Sequence, residues 1–181
     1  SPAWVVARAN TLAQWHGWSA FAGLQVPYSL VQRDIERELL PMAEHLGLTV
    51  AAWSPLAGGI LSGKFTRPQA PGPGTRISPE SISDRQRRVA MTVQSVAGDI
   101  GATPSQVAIA WVQRRSPAIC PIIGARRLDQ LLDNLGAADV DLPAAAAARL
   151  DEAAELDLEF PAAFIRETGS WVFGAAALPP G

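Results

Sequence analysis

The sequence predicts an α/β fold in which parallel strands are covered by outer helices, and three observations carry that expectation. Short continuous apolar runs at 20–26 (AFAGLQV), 48–53 (LTVAAW) and 118–123 (AICPII) read as fully buried strands. The segments between them place apolar residues at helical spacing. Strands and helices alternate, with connections long enough for parallel crossovers. Three strands make an incomplete sheet. A doubly wound sheet and a (β/α)8 barrel both contain such a segment.

Each element has a local reason. Residues 2–15 form a helix that opens on Pro2, where a missing N–H costs least. Residues 33–47 place Ile35, Leu39, Leu40, Ala43 and Leu46 on one helical face, with Gly47 as the stop. Pro41 falls inside that span and predicts a kink there. Residues 54–83 are rich in glycine and proline and read as a long loop. Helices resume at 84–101 and at 103–115, the latter with a capping box from Thr103 and Gln106 and with Pro104 at its first position. A helix at 128–137 ends at Gly136, an alanine-rich helix covers 142–156, and 160–181 is an irregular tail.

Composition narrows the function. Apolar residues are 48% of the 181 and charged residues 18%, enough apolar mass for a core. A net charge of −2 gives no footprint for nucleic acid or an anionic membrane. Cys120 is the single cysteine, so no internal disulfide forms, which fits a reducing, cytoplasmic compartment. No apolar run approaches the roughly 20 residues of a membrane span, and no signal-peptide pattern is visible. The chain opens on Ser1-Pro2 and enters a helix at once, which suggests a processed product or a fragment.

Several motifs invite chemistry. Gly58 to Lys64 nearly spells a phosphate-binding P-loop, but Phe65 stands where Ser or Thr would bind Mg²⁺. What remains is a glycine-rich loop, or backbone amides and Lys64 facing some other phosphate. His16 and His45 have no second ligand at metal spacing. No Gly-x-Ser-x-Gly elbow occurs, and the glycines near 98–101 follow no strand. Trp53 ends a predicted strand at its carboxyl edge, either as core or as a stacking platform for a flat ring. After the third strand, Gly124-Ala125 turn the chain and Arg126 and Arg127 enter the next helix. Cations there oppose the helix dipole. An anion between them would offset that cost, since helix amides and guanidinium forks both favour phosphate. The alternative is two solvated arginines.

Taken together, PAWVVARA, LQVPYSLVQRDIERELLPMAEHLGL, AAWSPLAGGILSGKF, TPSQVAIAWV and PIIGARRLDQLLDNLGA resemble the C-terminal half of an aldo-keto reductase, in order and in spacing, over residues 2–155. The resemblance implies the C-terminal portion of a (β/α)8 TIM barrel, with residues 1–181 a single partial domain. It implies NADPH as cofactor, no metal, and an intact protein that reduces a small-molecule aldehyde or ketone to an alcohol. By position, Gln25 would hold the nicotinamide carboxamide and Trp53 would stack on the ring. Ser54, Leu56, Gly58 and Lys64 would line the pyrophosphate, with Arg76 closing over it. Gly124 and Arg126 would meet the ribose and its 2′-phosphate, and Gln130, Asp133 and Asn134 the adenosine end. Family members often carry Glu where Asp133 stands. The family's catalytic Asp, Tyr, Lys and His belong to the first half of the barrel. Tyr28 and Lys64, the chain's one tyrosine and one lysine, match neither position, so no catalytic residue is assigned. A non-catalytic NADP-sensing or regulatory subunit on the same fold is the alternative. Neither nucleic acid nor membrane is expected as a partner. Open barrel edges would favour self-association.

Overall fold

The computed structural model describes residues 1–66 and 77–172. Its sheet has three parallel strands, β1 (Gly23–Pro27), β2 (Thr49–Trp53) and β3 (Ile119–Ile122), in the order β1-β2-β3. In register, Gln25 lies beside Ala51 and Ala51 beside Cys120; one row on, Pro27, Trp53 and Ile122 align. β1 starts three residues later than its apolar run because residues before it are tied elsewhere. The Asn10 side chain accepts from the Phe21 N–H at 2.9 Å and donates to the Phe21 carbonyl at 3.3 Å.

Seven α-helices lie among the described residues: α1 (Ala3–His16), α2 (Leu39–His45), α3 (Asp84–Ile100), α4 (Pro104–Arg114), α5 (Leu128–Leu135), α6 (Ala144–Ala153) and α7 (Ala162–Val172). Both α3 and α4 open with complete capping boxes, Ser83 with Gln86 and Thr103 with Gln106. Two expectations are corrected. The span 33–47 is not one helix kinked at Pro41: a 3-10 turn (Asp34–Glu36) is followed by the short α2. Pro41 lies in the first turn of α2, where its absent N–H breaks no helical bond. α5 ends at Gly136 as expected, and a 3-10 turn (Gly136–Asp139) continues from it in place of a left-handed cap. A Cβ at Gly136 would sit 2.5 Å from Nε2 of Gln106, so glycine there serves close approach to α4. The tail is not irregular throughout, since Pro161 is followed by α7.

The core lies on one side of the sheet. Val26, Val50, Ala52 and Ile119 pack with Val89, Val93, Val107, Trp111 and Leu150 of α3, α4 and α6. The alternate strand residues, Gln25, Trp53, Cys120 and Ile122, are exposed on the other face. Parallel sheets are normally covered on both faces. Apolar side chains are also exposed on two helices, Trp4, Leu12 and Trp15 on α1 and Leu128, Leu132 and Leu135 on α5.

Candidate cofactor-binding site

The candidate residues issue from the carboxyl ends of the three strands, the edge at which open and closed α/β sheets bind ligands. Gln25 is exposed on the open face of β1, and Trp53 ends β2 with 46% of its surface exposed. Among the described residues Trp53 is outside the packed core, so its side chain is accessible.

The chain after Trp53 takes unusual backbone angles. Ser54 (φ 59°) and Ala57 (φ 49°) are left-handed although neither is glycine, and Gly58 (φ 65°) and Gly59 (φ 98°) follow in the same region. Such conformations cost of order 1–3 kcal/mol at non-glycine residues and cluster at ligand clamps. The 3-10 segment Ala57–Ser62 is anchored by buried Ile60 and Leu61. Gly58 passes against Ile77, whose Cδ1 would lie 2.5 Å from a Cβ there. Gly59 is where Lys64 returns: its Nζ would be 2.5 Å from an added Cβ, and it sits 4.9 Å from the Phe65 ring centre. The P-loop likeness stops at composition, since Lys64 lies in a turn and starts no helix. Arg76 lies outside the described residues.

Beyond β3, the two arginines differ. Arg127 is held by Asp129 through two bonds, Nε to Oδ1 at 2.9 Å and Nη2 to Oδ2 at 2.8 Å. The Arg127 hydrogen bond holds the Asp129 carboxyl below its ordinary range, and the same pairing raises Arg127. Arg126 donates its backbone N–H to Gln130 Oε1 at 3.1 Å. Asn134, 5% exposed, donates to the Gly124 carbonyl at 3.4 Å and ties the turn to the helix. Asp133 accepts from the Thr103 hydroxyl at 2.8 Å. Gly63 in turn packs against Pro104. The start of α4 thus bridges the loop after β2 to α5, a role for Thr103 that a capping motif alone does not announce. Arg127 and Asp129, two residues apart, gave no periodic signal for their pairing.

A cleft of about 850 Å³ between α3, α6 and α7, lined by Arg85, Arg88, Glu152 and Glu167 among others, includes none of the candidate residues. Among the described residues, no group of three or more His, Cys, Asp or Glu could hold a metal ion, and no helix is long and apolar enough to cross a membrane.

The model of the aldo/keto reductase family matches residues 1–155, most of the chain. The chain belongs to the aldo/keto reductase family. Among relatives, an aryl-alcohol dehydrogenase of Pestalotiopsis microspora is 29% identical over 91% of this chain and 42% of its own length. The norsolorinic acid reductase stcV of Emericella nidulans is 31% identical over 93% of this chain and 42% of its own length. An aryl-alcohol dehydrogenase [NADP(+)] of Phanerodontia chrysosporium is 32% identical over 78% of this chain and 39% of its own length. This aldo/keto reductase chain thus spans about two fifths of the length of these relatives. Its parallel sheet and outer helices are consistent with part of the family barrel.

Proposed function

We propose that this chain is the NADP(H)-binding portion of an aldo/keto reductase whose intact protein reduces an aldehyde or ketone to an alcohol. The observation that carries this reading is one arrangement. An exposed Trp53, a left-handed glycine-rich loop with Lys64, and an arginine-bearing turn all leave the same ends of the sheet. The residues fit the group. Gln25 and Trp53 would hold the nicotinamide end. Ser54, Leu56, Gly58 and Lys64 would line the pyrophosphate, and Arg76 would close over it. Gly124 and Arg126 would meet the 2′-phosphate ribose. Gln130, Asp133 and Asn134 would border the adenosine. Arg127 is held by Asp129, and Arg126 is the residue that the family resemblance puts at the phosphate. The NADP(+) in the name of the Phanerodontia relative supports the same cofactor. When bound, the cofactor supplies a hydride to a carbonyl carbon.

No residue of this chain is assigned to protonate the carbonyl oxygen. Tyr28 is fully buried against Glu36, and Lys64 lies in the cofactor loop. Alone, the chain should therefore bind nucleotide without turnover. The same observation favours a second reading, a non-catalytic NADP-sensing or regulatory subunit. Names of the relatives make an aryl carbonyl the first substrate to try with the intact protein. The lone thiol fits a cytoplasmic setting, and the open sheet face supports self-association.

Thermal unfolding with and without NADPH tests the proposal. Ligand at 100 times its Kd adds about 2.7 kcal/mol, and for 150–250 residues each kcal/mol moves Tm by about 2–4 °C. The expected shift is about 5–11 °C. Losing a hydrogen bond to a charged group costs about 1.5–3 kcal/mol, so Arg126→Ala should weaken NADPH by roughly tenfold or more and leave NADH unchanged. No shift with NADPH would sink the reading. Turnover of an aldehyde by the purified chain would refute its inactivity.

A further inference from the structure

We infer that Tyr28 is a positioning residue for the nicotinamide platform, acting through the backbone of Trp53; the ligand arm of this inference rests on the cofactor reading above. The argument begins at the end of the sheet. Pro27 stands beside Trp53 in register and has no N–H to give. The neighbouring donor is Tyr28, whose N–H reaches the Trp53 carbonyl at 3.1 Å. The next residue, Ser54, swings into the left-handed region. A strained residue persists only where its surroundings over-determine it. The Tyr28 bond is the last hold on β2 from the β1 side before that swing.

Tyr28 is itself anchored beyond the needs of core packing. Its ring is fully buried, 5.6 Å from the ring of Trp111. Its hydroxyl donates to Glu36 Oε1 at 2.7 Å. Glu36 is clamped by Arg33 through Nε at 2.8 Å and Nη2 at 2.9 Å, and by Arg115 Nη2 at 3.1 Å. Both guanidiniums lie 5.2 Å from the Trp111 ring centre, and Trp111 Nε1 and Arg115 donate to Asp151 of α6. The tight turn between Ser29 and Gln32, closed by two backbone bonds, returns the chain so that Glu36 meets Tyr28. Every group is held by elements on the helical side of the sheet, while Trp53 faces the open side. The cluster thus fixes a backbone point that the cofactor face uses without touching that face.

The test is Tyr28→Phe, which keeps the ring and removes the hydroxyl. Amide exchange of residues 54–59 should quicken by roughly tenfold, as expected for loss of a charge-assisted bond. NADPH affinity should fall several-fold, while adenosine 2′,5′-bisphosphate, which lacks the nicotinamide, should bind unchanged. If loop exchange stays at the wild-type rate while Tm falls, Tyr28 is only structural and the inference fails. Equal weakening of both ligands also overturns it. If wild type binds neither ligand, the cofactor reading fails and the exchange arm alone decides this inference. Should the variant not fold, native-state exchange of wild type in rising denaturant replaces it. The Tyr28 amide and the amides of 54–59 should then open as one unit, and independent opening would refute the coupling.

Discussion

Replacing Glu36 by glutamine removes the more buried of the two carboxylates that Arg33 and Arg115 share. The Glu36 side chain is 10% exposed and accepts from Tyr28, Arg33 and Arg115. Glutamine keeps the shape but not the charge, leaving Arg33 and Arg115 to share Asp151, whose side chain is 38% exposed. Removing one partner of a buried pair costs about 3–5 kcal/mol. Asp151 offsets part of this, so the lower figure applies, about 3 kcal/mol. For a chain of this size Tm should fall by about 6–12 °C. The pH dependence has a definite sign. Burial alone would raise the Glu36 pKa, but hydrogen bonds from Arg33 and Tyr28 and the charges of Arg33 and Arg115 outweigh it and hold the group below its ordinary value. The unfolded chain therefore binds this proton more readily. The carboxylate's contribution is complete above the unfolded pKa of about 4.3 and is lost as pH falls through the lower folded value. Thermal unfolding followed by near-UV circular dichroism across the acid range reads this directly. The gap between wild type and Glu36→Gln should be widest near neutrality and close below about pH 4. A Tm unchanged at neutral pH, or a gap constant through the acid range, would refute the reasoning.

Two further outcomes follow from other contacts. Gly136→Ala should push the Gln106 side chain, whose Oε1 accepts the Thr103 N–H at 3.0 Å, out of its capping box at a cost of about 0.5–2 kcal/mol; urea unfolding checks this, and the cost should nearly vanish in a Gln106→Ala background. The chain should sediment as more than a monomer because its sheet face and α5 expose apolar side chains, and Leu132→Lys should shift the distribution toward monomer.

What the sequence revealed and what it hid divide by range of interaction. The strands were legible within a few residues because buried parallel strands are continuous apolar runs. The start of α4 was legible because Thr103, Pro104 and Gln106 act within one turn. The same Ser-x-x-Gln signal lay at Ser83 and Gln86. Pro41 misled because its effect depends on where the helix starts, and the break before α2 puts it in a first turn. The exposure of Trp53 was not legible, since an aromatic at a strand end reads alike as core or platform. The pairing of Arg127 with Asp129 was not legible because it joins residues two apart, a spacing that no helical or strand period encodes. The cluster was invisible beyond the local Arg33–Glu36 pair, since Arg115 and Asp151 join it only when the 3-10 turn Asp34–Glu36, α4 and α6 are packed.

The one-sided sheet divides labour between neighbouring residues on a single strand. Val50 and Ala52 face the core, where a lost methylene is felt at once, while Trp53 faces away from it. Gln25 stands in the same relation to Val26, and Cys120 to Ile119. Substitutions on the outward set should cost folding little, whereas the inward set is held by packing. If the cofactor lies against the outward face, as proposed above, its preference can drift along alternate positions of these strands while the scaffold stays fixed.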